Sequence, residues 1–535
     1  MQFIRRLLGR AAEPPPDDRM DISQRHERTQ KMKLASDLEA NLKTLTQLCG
    51  DSADLRIRRF TISQLPAAQI CLDGMVEDTA VEEILRALMI DTRKMGLDPG
   101  TRRELINSLE SLMVVANINR VDGFGDLFAR MALGDTAILV DGHAEAVLCE
   151  TTGWQTRAIK EPDAEMSVRG PREGFVESVI TNISLIRRRI RVPHLWVENH
   201  EIGKLTRTTV SIVYIKGLAT EDVLGELRER IGRIEIDGIL EGGQLEDYIE
   251  DTPYTLFPLL LRTERPDVVC RSLLEGRVAV LVNGTPHALI LPAEFSTFLQ
   301  APDDYYEKVP IGTFIRFLRW ASALLAIMLP GFYVAVTNFH PELIPVGLAL
   351  RISATREGVP FPLIVEVLGM GLLFEILREA GLRLPAAIGP AISIVGALVV
   401  GEAAIRAGLV SPAVVIVIAL TAIAGFGIPV FSAAIAFRLL QLTYTLLGAA
   451  FGLLGVQFGL LLTVVHLCSL RSFGVPYLTP MAPFIVRDMK DHVLRSWWWS
   501  LDTRPTLVGY REPTRQPPGQ MPSPGEKSGE GGEEK

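Results

Sequence analysis

The chain is poor in cysteine. Its 535 residues include only Cys49, Cys71, Cys149, Cys270 and Cys468, and none forms a Cys-x-x-Cys pair. That excludes a zinc ribbon and a disulfide framework, and four thiols in the polar part suit a reducing compartment. Other absences are equally informative. There is no GxxxxGK[ST] run to cradle phosphate, no GxSxG elbow and no HExxH zinc motif. The two GFG triplets, Gly123–Gly125 and Gly425–Gly427, do not lie in a GxGxxG run after a strand. An ATP-driven transporter is therefore disfavoured. No enzyme constellation and no cofactor site are expected. His194 and His200 lie close to Glu198 and Glu201; these are metal-ligand types, but a solvated loop is the better expectation. Net charge is −8 and no long basic tract exists, so nucleic-acid binding is not expected. The N-terminal MQFIRRLLGRAAEPPPDD lacks the long apolar core of a secretory signal. The soluble part is thus expected to stay in the cytosol, with the first apolar span acting as the insertion signal.

What is present divides in two. Residues 1–310 are charge-rich, 315–470 are apolar, and 503–535 are rich in Pro, Gly and Glu. Residues 1–30 read as a flexible lead. A helix is predicted over Lys31–Leu48 from apolar residues at helical spacing. Strands are predicted at Ala67–Leu72, Thr136–Val140 and Ala144–Glu150, with a helix at Thr79–Met89. The same order then returns: strand Thr209–Ile215, helix Thr220–Ile231 with Thr220 as N-cap, strand Val278–Val282, and His287–Leu291 coming back beside it. Gly74 and Gly217 are 143 residues apart; Gly134 and Gly276, and Gly142 and Gly284, are each 142 apart. LGDTAILVDG matches LEGRVAVLVNG. Equal spacing of several landmarks predicts a duplicated α/β unit. Its parts are subdomain 1 at 31–166, a connector at 167–192 and subdomain 2 at 193–310.

A transmembrane domain is predicted over 311–485, with four to six spans. Phe317–Asn338 reads as a span broken at Pro330–Gly331. Pro341–Pro360 is too polar for a simple crossing and reads as re-entrant or interfacial. Phe361–Ala380, Ala386–Leu409 and Pro412–Val430 follow, and 433–470 is long enough for one span or two. Arg316 and Arg319 precede the first span, and Arg471, Arg487, Lys490 and Arg495 follow the last, so both ends are expected in the cytoplasm and the crossings even in number. Trp497–Trp499 reads as an interfacial or docking cluster. The tail at 486–535 is expected to be disordered after about 505.

The charges inside the apolar part carry most of the functional signal. Glu402 and Arg406 are four apart and share a helix face. They form either a self-neutralising pair near a helix end or part of a polar stripe lining a pore, since rings of carboxylates select cations. Ser393, Gly396, Val399, Val400, Glu402 and Ala403 are the candidate pore-lining residues. The small residues of this segment also suit a packing seam. Glu366 and Glu375 are nine apart, half a turn out of phase, so both cannot face one pore on a straight helix. Arg438 reads as a helix-end anchor or a partner for one of these carboxylates.

Several segments resemble a known family: GPREGFVE at Gly170–Glu177, TNISLIRRRI at Thr181–Ile190, TERPD at Thr263–Asp267, LLEGRVAVLVNGTP at Leu273–Pro286, PDDYY at Pro302–Tyr306, FH at Phe339–His340, VPFP at Val359–Pro362, REAGLRLP at Arg378–Pro385, IGPAISIVGALVVGEAAI at Ile388–Ile405 and SFGVPYLTPMAP at Ser472–Pro483. Their ordered set resembles the A subunit of the GerA family of spore germination proteins. The resemblance implies a multi-pass protein of the spore inner membrane that works with a permease-like B subunit and a lipoprotein C subunit. It implies a homo-oligomer that forms a nutrient-gated cation channel, with only Ile388–Ile405 transferable to a pore-lining role. A SpoVAF-like branch with the same layout amplifies germination ion release, and the motifs do not separate the two branches. A membrane scaffold that relays a signal without its own pore is the other reading. The germinant, the ion and the stoichiometry are not encoded in any motif.

Overall fold

Strand Leu65–Leu72 and strand Asp135–Val140 are buried on both faces, and each lies in the interior of a sheet. In the computed structural model, which describes residues 22–62, 65–91, 118–153, 161–162, 165, 169–383, 399–508 and 512–522, they belong to a five-stranded antiparallel sheet. Its strands are β1 (Leu55–Ile62), β2 (Leu65–Leu72), β3 (Ile118–Val121), β4 (Asp135–Val140) and β5 (Ala146–Glu150), in the order β1-β2-β4-β5-β3. A second sheet has β6 (Leu195–Ile202), β7 (Thr208–Ile215), β8 (Leu261–Thr263), β9 (Val278–Val282) and β10 (Ala288–Leu291), in the order β6-β7-β9-β10-β8. The two orders are the same.

Helices complete each unit. The first has α1 (Ile22–Lys31), α2 (Leu38–Cys49), α3 (Asp78–Arg86) and α4 (Phe124–Met131); the second has α5 (Val179–Arg187), α6 (Glu221–Gly232), α7 (Gly242–Ile249) and α8 (Pro266–Leu274). In the first unit, Leu38, Leu42 and Leu45 of α2 pack with Leu127 of α4 on one sheet face, while Ile84 packs on the other. The second unit repeats this with Val179 and Val269 on one face and Leu224 and Leu245 on the other.

The repetition extends to single hydrogen bonds. Asn41 brackets the backbone of Ala35, accepting at 2.8 Å and donating at 2.6 Å; Asn182 brackets Val176 at the same distances. The Leu38 amide donates to Asp141 at 3.1 Å, and the Val179 amide to Asn283 at 3.2 Å. The paired glycines Gly74 and Gly217, Gly134 and Gly276, and Gly142 and Gly284 all have positive φ, a region open to glycine because it has no Cβ.

Several local expectations need correction. Residues 22–31 of the lead are helical, and the helix expected over Lys31–Leu48 begins only at Leu38. Asp37 caps it by accepting from the Glu39 and Ala40 amides, and Lys33 instead bridges to Gly123. The segment assigned to a connector contains α5, the counterpart of α2. The tail beyond Pro505 is also ordered in part. Thr503 bridges Thr514, Val508 is buried, and the Thr220 hydroxyl donates 3.0 Å to the Val508 carbonyl. Thr220 therefore sits at the N-cap of α6 without making a side-chain cap bond.

The apolar half contains α9 (Val309–Phe339), α10 (Val346–Arg356), α11 (Leu363–Arg383), α12 (Pro412–Phe426) and α13 (Phe431–Ser469), and residues 399–406 are also helical. α9 runs unbroken through Pro330. Pro330–Gly331 is not a break but a place of close approach: a Cβ on Gly331 would lie 2.4 Å from the Tyr444 carbonyl, and one on Gly448 2.3 Å from the Gly331 carbonyl. Small residues permit such backbone contact.

α13 is two antiparallel arms. Gly452 has φ 62° and ψ −146°, and the Tyr444 hydroxyl donates to Thr463 at 3.0 Å. Phe437 and His466 both lie beside the Phe257 ring, at 6.4 and 6.1 Å; along a straight helix they would be about 44 Å apart. Phe339, at the end of α9, packs on the Gly452 turn. The bundle thus has a near end, against the second α/β unit, and a far end at Gly452. At the near end the two halves share one core that joins Val269 and Phe298 to Ala323, Phe437, Leu467 and Tyr477.

Candidate functional site

The charges of the apolar half sort into three groups. At the far end, Glu366 is buried in the first turn of α11. One carboxylate oxygen accepts from the Ser411 amide at 2.8 Å, and the other lies 3.4 Å from Nε of Arg356. Ser411 is the N-cap of α12, so the carboxylate meets the positive end of that helix. Near the other end of α11, Glu375 bridges Arg438 of α13 and Arg378. Glu375, Arg378 and Arg438 line a cavity of about 630 Å³ with Gly371, Leu372 and Leu442. Glu366 and Glu375 thus serve different contacts, and Arg438 is a carboxylate partner.

The third group is on residues 399–406. Glu402 and Arg406 are hydrogen-bonded to each other and stand 56% and 78% exposed. Val399 and Ala403 are exposed and Val400 is half-buried. Positions 399, 402, 403 and 406 therefore form one outward face. Gly401 lies on the opposite side, where a Cβ would touch Val415 of α12 at 3.6 Å. Ser393 and Gly396 lie outside the described residues.

The junction between the halves is a site that pattern reading missed. Arg316, on the second turn of α9, is fully buried. Its Nε is 3.2 Å from Asp304 and its Nη1 is 3.0 Å from Asp491. Arg319 reaches the same Asp304 at 2.8 Å, and Tyr305 donates to Asp491 at 2.6 Å. Arg495 donates to the backbone of Glu307 and Tyr305. One ionic cluster thus joins the second α/β unit, the start of α9 and the segment after α13. Arg316 and Arg319 were legible only as markers of a membrane edge. Nothing local reveals that Asp491, 175 residues later, meets Arg316. His492 beside it is buried, and burial followed by the Arg316 charge pushes its pKa down to about 4.

The two α/β units are joined by a second buried ion pair. Arg187 of α5 is bidentate to Asp54 at 2.7 and 3.0 Å and also donates to Ser52. Burial alone would raise the Asp54 pKa, but the Arg187 charge and hydrogen bonds hold it below the usual range. Trp196 closes the same contact over Gly50 and donates to the Leu48 carbonyl at 3.3 Å. Beside it lies a cavity of about 270 Å³ lined by Arg25, Arg28, His194, Trp196 and Lys216, with no acidic lining residue. Lys216 there is already paired with Glu221 at 2.6 Å.

The histidines expected on a solvated loop are on β6 or at its start. His194 is buried beside this basic cavity, and its pKa falls to about 4 through burial and then the charges of Arg25 and His26. Glu198 is held by Arg228 and Tyr214. Among the described residues no group of three His, Cys, Asp or Glu is placed to hold a metal.

Two described helices, Val309–Phe339 and Phe431–Ser469, are long and apolar enough to cross a membrane, and only 39% and 28% of their apolar windows are buried within the chain. The Bacillus/Clostridium GerA spore germination protein family matches residues 43–507. Spore germination protein KA of Bacillus subtilis is 42% identical over 513 residues, covering 94% of this chain and 92% of that protein. Spore germination protein GerLA of Bacillus cereus is 38% identical over 488 residues, covering 90% and 98%. Among solved structures, the N-terminal domain of the A subunit of the Bacillus megaterium spore germinant receptor GerK3 is similar. It is 37% identical, covers 49% of this chain and 97% of that one, and has a TM-score of 0.39. The chain belongs to the GerA family of spore germination proteins.

Proposed function

We propose that this protein is the A subunit of a germinant receptor in the spore inner membrane, and that several copies enclose a cation pathway lined by the helix containing residues 399–406. The observation that carries the reading is the outward face of that helix. Glu402 and Arg406 are exposed in a single chain. A charge facing lipid costs about 2.5–3.5 kcal/mol at the centre of a bilayer on insertion scales and less toward its edge, where these two residues lie. A face bearing both signs therefore calls for water or another copy of the chain. Val399 and Ala403, on the same face, are small enough to form a narrow wall, with Glu402 supplying the cation-selecting carboxylate.

The chain path supports a multi-pass arrangement. α9 leads from the near end to the far end, α11 returns, residues 399–406 approach the far end again, α12 returns, and the arms of α13 go out and back. With one outward crossing assigned to the segment that ends at residues 399–406, the proposal has six crossings, an even number, with both the α/β units and the segment after α13 on the cytosolic side. The family relationship supports work alongside a permease-like B subunit and a lipoprotein C subunit.

Reconstitution in planar bilayers tests the reading. Cation conductance is expected, with Val399→Ala altering the unit conductance and Glu402→Gln lowering cation over anion preference. A protein that stays monomeric, or that conducts in no state, overturns it in favour of a relay without a pore.

A further inference from the structure

The segment after α13 folds back along the start of α9 instead of leaving the bundle. The Thr313 hydroxyl donates to the Arg495 carbonyl at 3.3 Å, and a Cβ on Gly312 would sit 3.0 Å from Arg495 Cδ. The His492 and Trp320 rings are 5.8 Å apart. Residues 492–498 therefore lie level with the first turns of α9, where Phe314 and Phe317 are exposed. The segment after α13 also turns apolar side chains outward. Phe484 is 69% exposed, Val486 72%, and Trp497 and Trp498 are nearly half exposed. Trp497 stacks on Trp499 with ring centroids 6.1 Å apart. Arg487 and Lys490 are exposed between them.

A second patch lies at the same end of the bundle. Tyr254 is 97% exposed and Leu256 half exposed, and Thr255 between them pairs with His466 at 3.0 Å, at the close of the second arm of α13. A protein partner would account for one side of the bundle. A lipid surface meets every side at one depth, and Trp and Tyr favour that depth because they join an apolar ring to a polar edge.

We propose that residues 481–499 form an interfacial anchor, with Phe484, Val486, Trp497 and Trp498 in the headgroup layer of the bilayer that α9 enters. Arg487 and Lys490 meet its anionic phosphates. The inference rests on α9 spanning that membrane. The anchor fixes the height of Asp491, and hence of the Arg316 cluster, relative to the bilayer.

Tryptophan quenching on the full chain in nanodiscs tests it, using lipids that carry the quencher near the headgroup or near the chain end. The triple variant W497F/W498F/W499F lacks three of the six tryptophans and keeps apolar rings in place. It should lose headgroup-level quenching several-fold relative to the parent. Leu324→Trp, on an exposed position midway along α9, should gain quenching from the deep label. If the deep label quenches Leu324→Trp while the triple variant matches its parent, α9 spans and the anchor is overturned. If neither label acts on any variant, the spanning reading fails and the anchor fails with it.

Discussion

Removing the Arg187 side chain should loosen the contact between the two α/β units. Arg187 and Asp54 are about 1% and 4% exposed at the side chain and share two hydrogen bonds. In Arg187→Met the apolar stem is kept and the charge is lost, leaving Asp54 buried with Ser52 as its remaining side-chain partner. Breaking a buried pair from one side costs about 3–5 kcal/mol. For a unit pair of this size that corresponds to a melting shift of roughly 6–20 °C. Trp196 is the natural reporter, since it seals the same interface. Its fluorescence melt in the purified full chain should fall by that amount, and adding Asp54→Leu to Arg187→Met should recover most of it. The pH dependence has a defined sign. The folded-state pKa of Asp54 is depressed, so its stabilisation is complete above the unfolded value of about 3.9 and is lost as pH falls through the lower folded value. In Arg187→Met only burial is left to act strongly on Asp54 and raises its pKa, so the gap to the parent should be full above that raised value and narrow as pH falls through it into acid. A shift under about 2 °C at pH 7 would refute the argument, because a buried carboxylate left unpaired cannot be neutral in energy.

Two further outcomes follow from the bundle and its junction. Gly448→Val should lower the melting temperature of the detergent-solubilised protein, because its Cβ would meet the Gly331 carbonyl at 2.3 Å, an overpacking cost of about 1–3 kcal/mol or more. Gly347→Ala, with nothing within 4 Å, should leave the melt unchanged or raise it; equal melts for the two variants would sink the close-approach argument. For His492, the unfolded chain binds a proton below about pH 6.5 while the folded chain resists until about 4. Stability of the junction should therefore fall as pH drops across that window, by up to roughly 3 kcal/mol. Hydrogen exchange of residues 477–508 should show that slope, and His492→Phe should remove it. A slope that survives in the variant would assign the effect elsewhere.

The duplication was legible because it depends on local chemistry. A turn needing positive φ demands glycine wherever it recurs, and a buried strand demands an apolar run, so equal spacing exposed both units. Edge strands were less visible. β1 reads LRIRRFTI, with Arg58 and Arg59 exposed, and β3 and β8 are only four and three residues long. The connector was misread because α5 is buried nearly all round, which leaves little amphipathic contrast to find. In the apolar half, spacing alone put Glu402 with Arg406 and kept Glu366 from sharing a face with Glu375.

What the sequence determined by itself was everything set by neighbours in the chain: the division into polar and apolar halves, the repeat, the pair at Glu402 and Arg406, and membership of the family. Tertiary structure alone decided the partners that lie far apart in sequence. It turned 39 apolar residues into two arms by giving Gly452 a left-handed φ. It brought Asp54 to Arg187 and Asp491 to Arg316, and it seated Glu366 on the N-terminus of α12. The physical reason is that a buried charge must be matched by another, but its own sequence neighbourhood does not say from where the match will come.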